Sequence, residues 1–271
     1  MNQNLAHPIS FAKPRVLLPQ GQEVKAIVIV LHGLNLKPER MDDWAQVFLA
    51  RGALVIRLAL FGHGGDEADM RAASAEIWRK QMDEALALAQ SESSKHNAAP
   101  IYFLGFSLGA LVGLEAQARS PEPGILQRMV LIAPAISVPW YAKVAVSLGS
   151  LLGKGFLVPA RNPKSYRVNR GTSVGAYQAL LELKKSLEDL HYKNADVKTL
   201  VLLDTYDELI SSNAVKNIVK KNRLGLWEIT LVNNRAARDT YGFRHLLVDR
   251  ESVGARLWQE MSDKVIRRFD L

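Results

Sequence analysis

The sequence of 271 residues contains no cysteine. This absence excludes disulfide bonds, a thiolate nucleophile and thiolate metal ligands. It says nothing about the redox state of the compartment, because a chain without thiols is compatible with oxidising and reducing surroundings. Any nucleophilic chemistry must therefore use a different side chain.

Acidic residues are absent between Pro123 and Leu181. The formal net charge of +8 is concentrated in this interval, which contains Arg128, Lys143, Lys154, Arg161, Lys164, Arg167 and Arg170. Such a run is typical of a solvated basic face, and it also fits attraction to acidic substrates, anionic lipid or nucleic acid. No zinc-ligand, helix-turn-helix or stacking-aromatic motif accompanies the charge, so we expect no nucleic-acid partner.

Long hydrophobic runs are also missing. No stretch approaches the roughly 20 apolar residues of a membrane-spanning helix, and residues 1–15 lack the unbroken apolar region of a Sec-type signal peptide. We therefore expect a soluble, cytoplasmic protein without an integral membrane span. The length and the apolar fraction of 48% suit a large α/β core.

Predicted strands and helices alternate along most of the chain. The run from Ile27 to Leu31 is continuously apolar, which favours a strand buried on both faces, as in a parallel sheet. The other predicted strands are 53–60, 100–106, 128–134, 197–205 and 226–232. The predicted helices between and after them are 35–52, 74–93, 107–120, 173–190, 211–222 and 252–269, with Ser74 and Ser173 as N-caps. This order predicts an α/β fold with a doubly wound, mostly parallel sheet.

The alternation breaks after Pro134. Helical apolar spacing over Tyr141 to Leu152 is followed by a basic loop rich in glycine and proline, and then by the helix that Ser173 caps. We predict an inserted, mainly helical cap over 136–192, and a core domain of 1–135 and 193–271. The apolar residues of the cap fit either an acyl-binding site or packing on the core: Val138, Trp140, Tyr141, Val144, Val146, Leu148, Leu151, Leu152, Phe156 and Leu157.

Ser107 lies between two glycines, directly after one apolar run and directly before another, which an ordinary loop serine does not require. Gly105-Phe106-Ser107-Leu108-Gly109 matches the G-x-S-x-G pattern, between a predicted strand and a predicted helix. The pattern predicts a strained turn on which Ser107 is exposed, with Gly105 and Gly109 where a Cβ would clash. The following helix start favours negative charge beside the serine.

A serine nucleophile needs a base, and the base needs an orienting carboxylate. In folds with this turn, the acid and then the histidine follow the serine along the chain. Of the histidines after Ser107, only His245 lies in a loop after a late strand, so we select it over His191. For the acid we favour Asp207, with Asp204 at the strand end as the alternative. Asp239 and Asp249 are expected to be surface residues.

An oxyanion must also be stabilised. The backbone N–H of Leu108 is one expected donor, and that of Leu34, in the loop after the first long strand, is the second. Gly33 allows close approach of this loop. His32 has no ligand-spaced partners, so we expect its ring to brace the loop by hydrogen bonds rather than to bind a metal.

The motifs "LHGLN", "LFGHGGD", "GFSLG", "DTYDELI" and "RHLLVDRE" occur in this order, within a resemblance that spans about Lys25 to Phe269. In these motifs the chain resembles the α/β-hydrolase superfamily, and especially its carboxylesterase, monoacylglycerol lipase and lysophospholipase branch. The resemblance implies an ester hydrolase without metal or organic cofactor. Its expected substrates are small-molecule esters, a class that includes acyl and lipid-like esters. It implies Ser107 as nucleophile, His245 as base, Asp207 as orienting acid, and an oxyanion hole from Leu34 and Leu108.

The scaffold hosts several chemistries, so three alternatives stay open at this point. A thioesterase or another acyl hydrolase would use the same three residues, and a basic cap suits anionic substrates. An aminopeptidase is disfavoured, because its cap should carry acids for the substrate amine. A non-catalytic binding protein would usually have lost the serine or the histidine, and both are present.

Overall fold

The computed structural model describes residues 13–137 and 153–271. Its strands are β1 Arg15–Leu17, β2 Ala26–Leu31, β3 Ala53–Leu58, β4 Ile101–Phe106, β5 Arg128–Ile132, β6 Leu157–Pro159, β7 Gly171–Ser173, β8 Lys198–Asp204 and β9 Trp227–Val232. Its α-helices are α1 Asp42–Leu49, α2 Glu67–Ala72, α3 Ala75–Lys95, α4 Leu108–Arg119, α5 Val174–Asp189, α6 Ser212–Lys221, α7 Arg235–Tyr241, α8 Arg250–Val253 and α9 Ala255–Phe269. A 3-10 turn, Pro38–Met41, leads into α1.

Seven of these strands form one sheet in the order β1-β3-β2-β4-β5-β8-β9. Strand β1 runs antiparallel to β3, and every other neighbouring pair is parallel. All residues of β2, β3 and β4 are buried, as their unbroken apolar runs predict for central strands covered on both faces. The predicted mostly parallel α/β sheet is confirmed.

Helices cover both faces of the sheet. On one face α1 and α9 pack together, with the ring centroids of Trp44 and Trp258 4.3 Å apart and those of Phe48 and Phe269 5.5 Å apart. On the other face α3, α4 and α5 pack against each other. The two-sided cover is the doubly wound arrangement that the alternation of strands and helices predicts.

Two predicted helix starts are confirmed. The Ser74 hydroxyl accepts a hydrogen bond from the N–H of Ile77, and the Ser173 hydroxyl accepts one from the N–H of Ala176. The prediction lacks β1 and the β6–β7 hairpin, whose strands have three residues each. Three residues are too few for an apolar alternation to be detected.

The predicted cap is described only in part. The helical spacing over Tyr141 to Leu152 lies outside the described residues, as do Val138, Trp140 and Lys143. In the described part, β6 and β7 form an antiparallel hairpin and α5 follows directly. Apolar side chains of α5 belong to the same hydrophobic core as the sheet: Ala176, Ala179, Leu180, Leu183 and Leu187. The division into a core and a cap over 136–192 stays a prediction.

The parallel strands place their following loops at one edge of the sheet. Strands β2, β4 and β8 end at Leu31, Phe106 and Asp204. The loops that carry His32, Ser107 and Asp207 therefore begin at the same edge of the sheet: the first two follow neighbouring strands, and the third follows β8, which is separated from β4 by β5. In open α/β sheets this carboxyl edge is where ligands bind.

Within the two described ranges, none of the helices combines the length and the apolar character that crossing a bilayer requires.

The packing of α1 on α9 gives a stability prediction. Trp44 is fully buried against Trp258 and Phe48, so Trp44→Ala should lower the free energy of unfolding by about 3–5 kcal/mol. Urea unfolding of the variant measures this. Val16→Ala, at a position that is 40% exposed, is the control and should change stability by less than about 1 kcal/mol. Equal losses in both variants would contradict this packing.

Candidate active site

Ser107 lies at a sharp turn between β4 and α4. Its backbone angles are φ 51° and ψ −110°, a conformation that a non-glycine residue rarely adopts. The turn is held by the neighbouring strand: the N–H of Ser107 donates to the carbonyl of Ile132 at 2.9 Å, and its carbonyl accepts from the N–H of Ala135 at 3.1 Å. The strained turn that G-x-S-x-G predicts is present.

The flanking glycines make this turn sterically possible. A Cβ at Gly105 would lie 2.6 Å from the backbone nitrogen of Ala110, and a Cβ at Gly109 would lie 2.5 Å from the carbonyl oxygens of Leu31 and His32. Both distances are below any normal contact. The glycines thus allow helix α4 to begin directly against strands β2 and β4.

His245 lies between Ser107 and Asp207. Its Nε2 is 3.0 Å from the Ser107 Oγ, and its Nδ1 is 2.7 Å from the Asp207 Oδ2. The imidazole is 5% exposed, and the rings of Phe106 and Phe243 have their centroids 5.1 and 5.7 Å from it. With Nδ1–H donating to the carboxylate, Nε2 is left to accept the serine proton.

The surroundings of Asp207 favour its ionised form. Burial acts to raise the pKa of the Asp207 carboxyl, but the charge and hydrogen bond of His245 and the N–H groups of Leu209 and Ile210 outweigh it. Both N–H groups donate to Oδ1, at 2.7 and 2.9 Å. The pKa therefore falls below its ordinary value, and the carboxylate facing His245 is charged at neutral pH.

Asp204, the alternative acid, has different partners. Its buried carboxylate accepts from the N–H groups of Tyr206 and Asn234, and burial raises its pKa. The Asn234 side chain in turn donates to the carbonyl of Leu246 at 2.8 Å, next to His245. Asp204 thus ties the end of β8 to the histidine loop, whereas the contact to the imidazole is made by Asp207.

The expectation that Asp249 is a surface residue is wrong, although Asp239 is exposed as expected. Asp249 is 4% exposed and caps α8 by accepting from the N–H of Ser252. It also accepts from the hydroxyl of Tyr166 at 2.9 Å. The Asp-x-x-Ser spacing of 249–252 is a local N-cap signal, whereas the burial of Asp249 depends on its contact with the distant Tyr166.

The loop after β2 lies against the serine. A Cβ at Gly33 would be 2.7 Å from the ring of Phe106 and 3.3 Å from the Cβ of Ser107, so only a glycine allows this approach. Among the described residues, none accepts a hydrogen bond from the backbone N–H of Leu34 or Leu108. These are the two groups that the sequence predicts as oxyanion donors.

Two buried histidines brace this loop. His32 Nδ1 lies 2.8 Å from the carbonyl of Gly33, and its Nε2 accepts from the N–H of Leu60 at 3.0 Å. The His63 Nε2 accepts from the N–H of Asn35 at 2.9 Å. Their ring centroids are 4.5 Å apart. His32 thus braces the loop by hydrogen bonds, as expected, and each imidazole accepts one of them as the neutral form.

The predicted cap also reaches this loop, through hydrogen bonds between the side chain of Asn35 and the backbone of Asn169 that the sequence did not reveal. The Oδ1 of Asn35 accepts from the N–H of Asn169 at 2.8 Å, and the Nδ2 of Asn35 donates to the carbonyl of Asn169 at 3.1 Å. The Nδ2 of Asn169 donates to the carbonyl of Gly62. Three loops therefore meet at Asn35. No local sequence pattern predicts this meeting, because Asn35 and Asn169 are 134 residues apart.

A second residue that sequence reasoning passed over is Glu208. Its carboxylate accepts from the N–H of Arg244 at 3.0 Å and from that of His245 at 3.2 Å. The sequence offers Glu208 only as a further acid beside Asp207. A contact to backbone N–H groups leaves no side-chain pattern at the partner positions, so the sequence carries no signal for it.

This fold and site define an α/β-hydrolase. Residues 22–232 match the family Hydrolase_4, described as serine aminopeptidase, S33. The chain therefore belongs to this family. The matched range contains Ser107 and Asp207 and ends before His245.

Solved structures share the fold over almost the whole chain. A soluble variant of monoglyceride lipase from Saccharomyces cerevisiae, in complex with a substrate analogue, is 12% identical with a TM-score of 0.75, over 96% of this chain and 94% of that one. A metagenome-derived lipolytic enzyme of the LipS and LipT pair is 18% identical with a TM-score of 0.72, over 95% and 98%. The monoacylglycerol lipase of Paleococcus ferrophilus is 16% identical with a TM-score of 0.64, over 95% and 100%.

Among curated proteins, a monoglyceride lipase homolog of monkeypox virus is 22% identical over 129 residues. The match covers 48% of this chain and 45% of that protein, so it spans less than half of the relative.

The histidine pair predicts a loss of stability in acid. Burial lowers the pKa of His32 to about 4, and burial together with the neighbouring His32 lowers that of His63 well below 6.5. In the unfolded chain both protonate near pH 6.5. Between pH 6.5 and about 4 the unfolded state binds more protons, so stability falls as pH falls, by at most about 1.4 kcal/mol per pH unit for each histidine.

Urea unfolding at pH 7, 6 and 5 measures this dependence. His63→Gln removes one of the two titrating groups and should make stability fall less steeply with pH. A free energy of unfolding that is the same at pH 7 and pH 5 in the parent protein would contradict neutral burial of the pair.

Proposed function

We propose that the protein is a serine hydrolase that cleaves carboxylic esters through an acyl-enzyme. The observation that carries the proposal is the continuous contact from the Ser107 Oγ to His245 Nε2 at 3.0 Å and from His245 Nδ1 to Asp207 at 2.7 Å. A serine hydroxyl needs such a base to act as a nucleophile, and the base needs an ionised carboxylate to fix its tautomer.

In the first half of the reaction, the Ser107 Oγ attacks the ester carbonyl carbon while its proton passes to His245 Nε2. The carbonyl oxygen becomes an oxyanion, which the N–H groups of Leu34 and Leu108 stabilise together with the start of α4. Asp207 stabilises the imidazolium. When the intermediate collapses, the C–O bond to the alcohol breaks and His245 gives its proton to the leaving oxygen.

In the second half, water replaces the alcohol. His245 takes a proton from the water as the water oxygen attacks the acyl carbon, and the same backbone N–H groups stabilise the second oxyanion. Collapse breaks the bond to the Ser107 Oγ, which recovers its proton from His245. The carboxylic acid leaves and the enzyme returns to its starting state.

The charge around the site supports an ester rather than a peptide with a free amino terminus. The chain has no acidic residue between Pro123 and Leu181, so this part of the predicted cap offers no carboxylate for a substrate ammonium group, and the acids of the predicted cap, Glu182, Glu188 and Asp189, lie in the second half of α5. The acids near His245 already have partners within the protein. Asp207 binds the imidazole, and Asp204 and Glu208 accept hydrogen bonds from backbone N–H groups. The names of the related lipases agree with a substrate that carries an acyl ester.

The proposal predicts distinct effects of the two neighbouring aspartates. Asp207→Asn leaves the imidazole without its anionic partner and should lower kcat on p-nitrophenyl butyrate by about 10⁴-fold. Asp204→Asn should lower kcat by less than about tenfold per folded molecule, since Asp204 binds backbone N–H groups and Arg244 rather than the imidazole.

Steady-state kinetics give kcat for both variants, and circular dichroism gives the folded fraction by which each kcat is corrected. Ser107→Ala is the negative control, and its rate should not exceed that of uncatalysed hydrolysis in buffer. A larger loss in Asp204→Asn than in Asp207→Asn would assign the acid to Asp204, and full activity in Ser107→Ala would overturn the assigned nucleophile.

A thioesterase is a second candidate, favoured by one observation. Residues 153–181 of the predicted cap contain no acid and expose four basic side chains: Lys154, Arg161, Lys164 and Arg170. Thioesters of coenzyme A carry several phosphate charges, which such side chains attract. The triad and oxyanion donors would serve a thioester without change.

The two candidates differ in their dependence on salt. If the substrate is an acyl-coenzyme A, kcat/KM should fall several-fold between 20 and 300 mM NaCl, and Arg161→Ala together with Lys164→Ala should lower it at low salt. Hydrolysis of neutral p-nitrophenyl esters should change little under both conditions. A kcat/KM for acyl-coenzyme A that is lower than that for neutral esters and independent of salt would exclude the thioesterase.

A further inference from the structure

We propose that Glu208 is a positioning residue that holds the backbone of His245 where its imidazole reaches Ser107. The inference rests on the proposed function, since it concerns the histidine of that site. Glu208 binds the backbone N–H groups of Arg244 and His245, so its contribution goes through His245.

The Glu208 carboxylate is aligned with two consecutive backbone N–H groups. The N–H of Arg244 donates to both oxygens, at 3.0 Å each, and the N–H of His245 donates to Oε2 at 3.2 Å. Hydrogen bonds to a charged acceptor are stronger than those between neutral groups. The carboxylate therefore fixes the peptide unit that carries the imidazole.

Asp207 and Glu208 hold opposite ends of the same residue. Asp207 binds the ring of His245 at Nδ1, and Glu208 binds its backbone nitrogen. The acid turn is itself anchored, because the Asp207 Oδ1 accepts from the N–H groups of Leu209 and Ile210. Asp207 thus fixes the position of the His245 ring, and the adjacent Glu208 fixes the position of the His245 backbone.

The other supports of the histidine loop act on different groups. The side chain of Arg244 donates to the Oδ1 of Asn233 at 2.6 Å, and the side chain of Asn234 donates to the carbonyl of Leu246 at 2.8 Å. Neither contact fixes the backbone N–H of His245. Loss of the Glu208 carboxylate should therefore let the backbone at 244–245 shift while the rest of the loop stays in place.

A small shift of the imidazole matters for turnover and little for binding. A misplacement of about 1 Å in a proton-transferring group can cost about 10²-fold in rate. Proton transfer depends on the position of the imidazole, whereas ester binding depends mainly on the groups that hold the acyl and alcohol parts. A loss that falls on kcat, with KM preserved, is thus the signature of positioning.

The test compares Glu208→Ala and Glu208→Gln with the parent on p-nitrophenyl butyrate. Glu208→Ala should lower kcat by about 10- to 100-fold with KM changed by less than about threefold. Glu208→Gln keeps one carbonyl oxygen in place and should have an intermediate kcat. Asp239→Ala removes an exposed carboxylate from the nearby helix α7 and should leave kcat unchanged.

Hydrogen–deuterium exchange gives a readout that does not depend on any activity. The backbone amides of Arg244 and His245 should exchange at least about tenfold faster in Glu208→Ala than in the parent, and at the parent rate in Asp239→Ala. Should Glu208→Ala fail to fold, Glu208→Gln carries both measurements. Unchanged exchange at these amides, or a parent-like kcat in both Glu208 variants, would overturn the proposal.

The outcomes separate this inference from the proposed function. A parent protein without ester or thioester turnover would contradict the proposed function, while faster exchange in Glu208→Ala would still establish the backbone contact. An active parent whose Glu208 variants keep kcat would contradict positioning alone.

Discussion

The backbone of Ser107 is held in a conformation that is unfavourable for a residue with a side chain, and the surrounding structure serves to keep it there. At φ 51° the serine costs on the order of 1–3 kcal/mol. The sheet offsets this cost, because strand β5 binds the peptide at Ser107 from one side and strand β2 packs against Gly109 from the other. This conformation places the partly exposed Ser107 at the start of helix α4, where negative charge is favoured.

The chemistry around Ser107 is built from loops that are held to each other rather than to the sheet alone. His32 and His63 bind backbone groups of neighbouring loops, and Asn35 binds the backbone of Asn169, 134 residues away. Asp207 and Glu208 bind ring and backbone of His245. Each side chain removes freedom from a group that the proposed mechanism needs in place when an oxyanion forms, and such preorganisation is how enzyme sites accelerate reactions.

Much of this architecture can be read from local patterns. The apolar runs of β2, β3 and β4 predict buried parallel strands, Ser74 and Ser173 mark helix starts, and the glycines around Ser107 predict the strained turn. These features are readable because their cause lies within a few residues. The pairing of Asn35 with Asn169 and the contact of Glu208 with the backbone at 244–245 join distant segments, so no local pattern encodes them. Asp249 lies between these cases: its capping spacing is local, but its burial depends on Tyr166.

The central claim is that Ser107 is the nucleophile, and covalent labelling tests it most directly. The protein is treated with a fluorophosphonate, which reacts with a serine only when a neighbouring base activates it. Intact mass and peptide mapping should then show one adduct, on the peptide that contains Ser107, and no adduct after His245→Ala. The absence of an adduct in the folded parent protein, or its location on a different residue, would contradict the account.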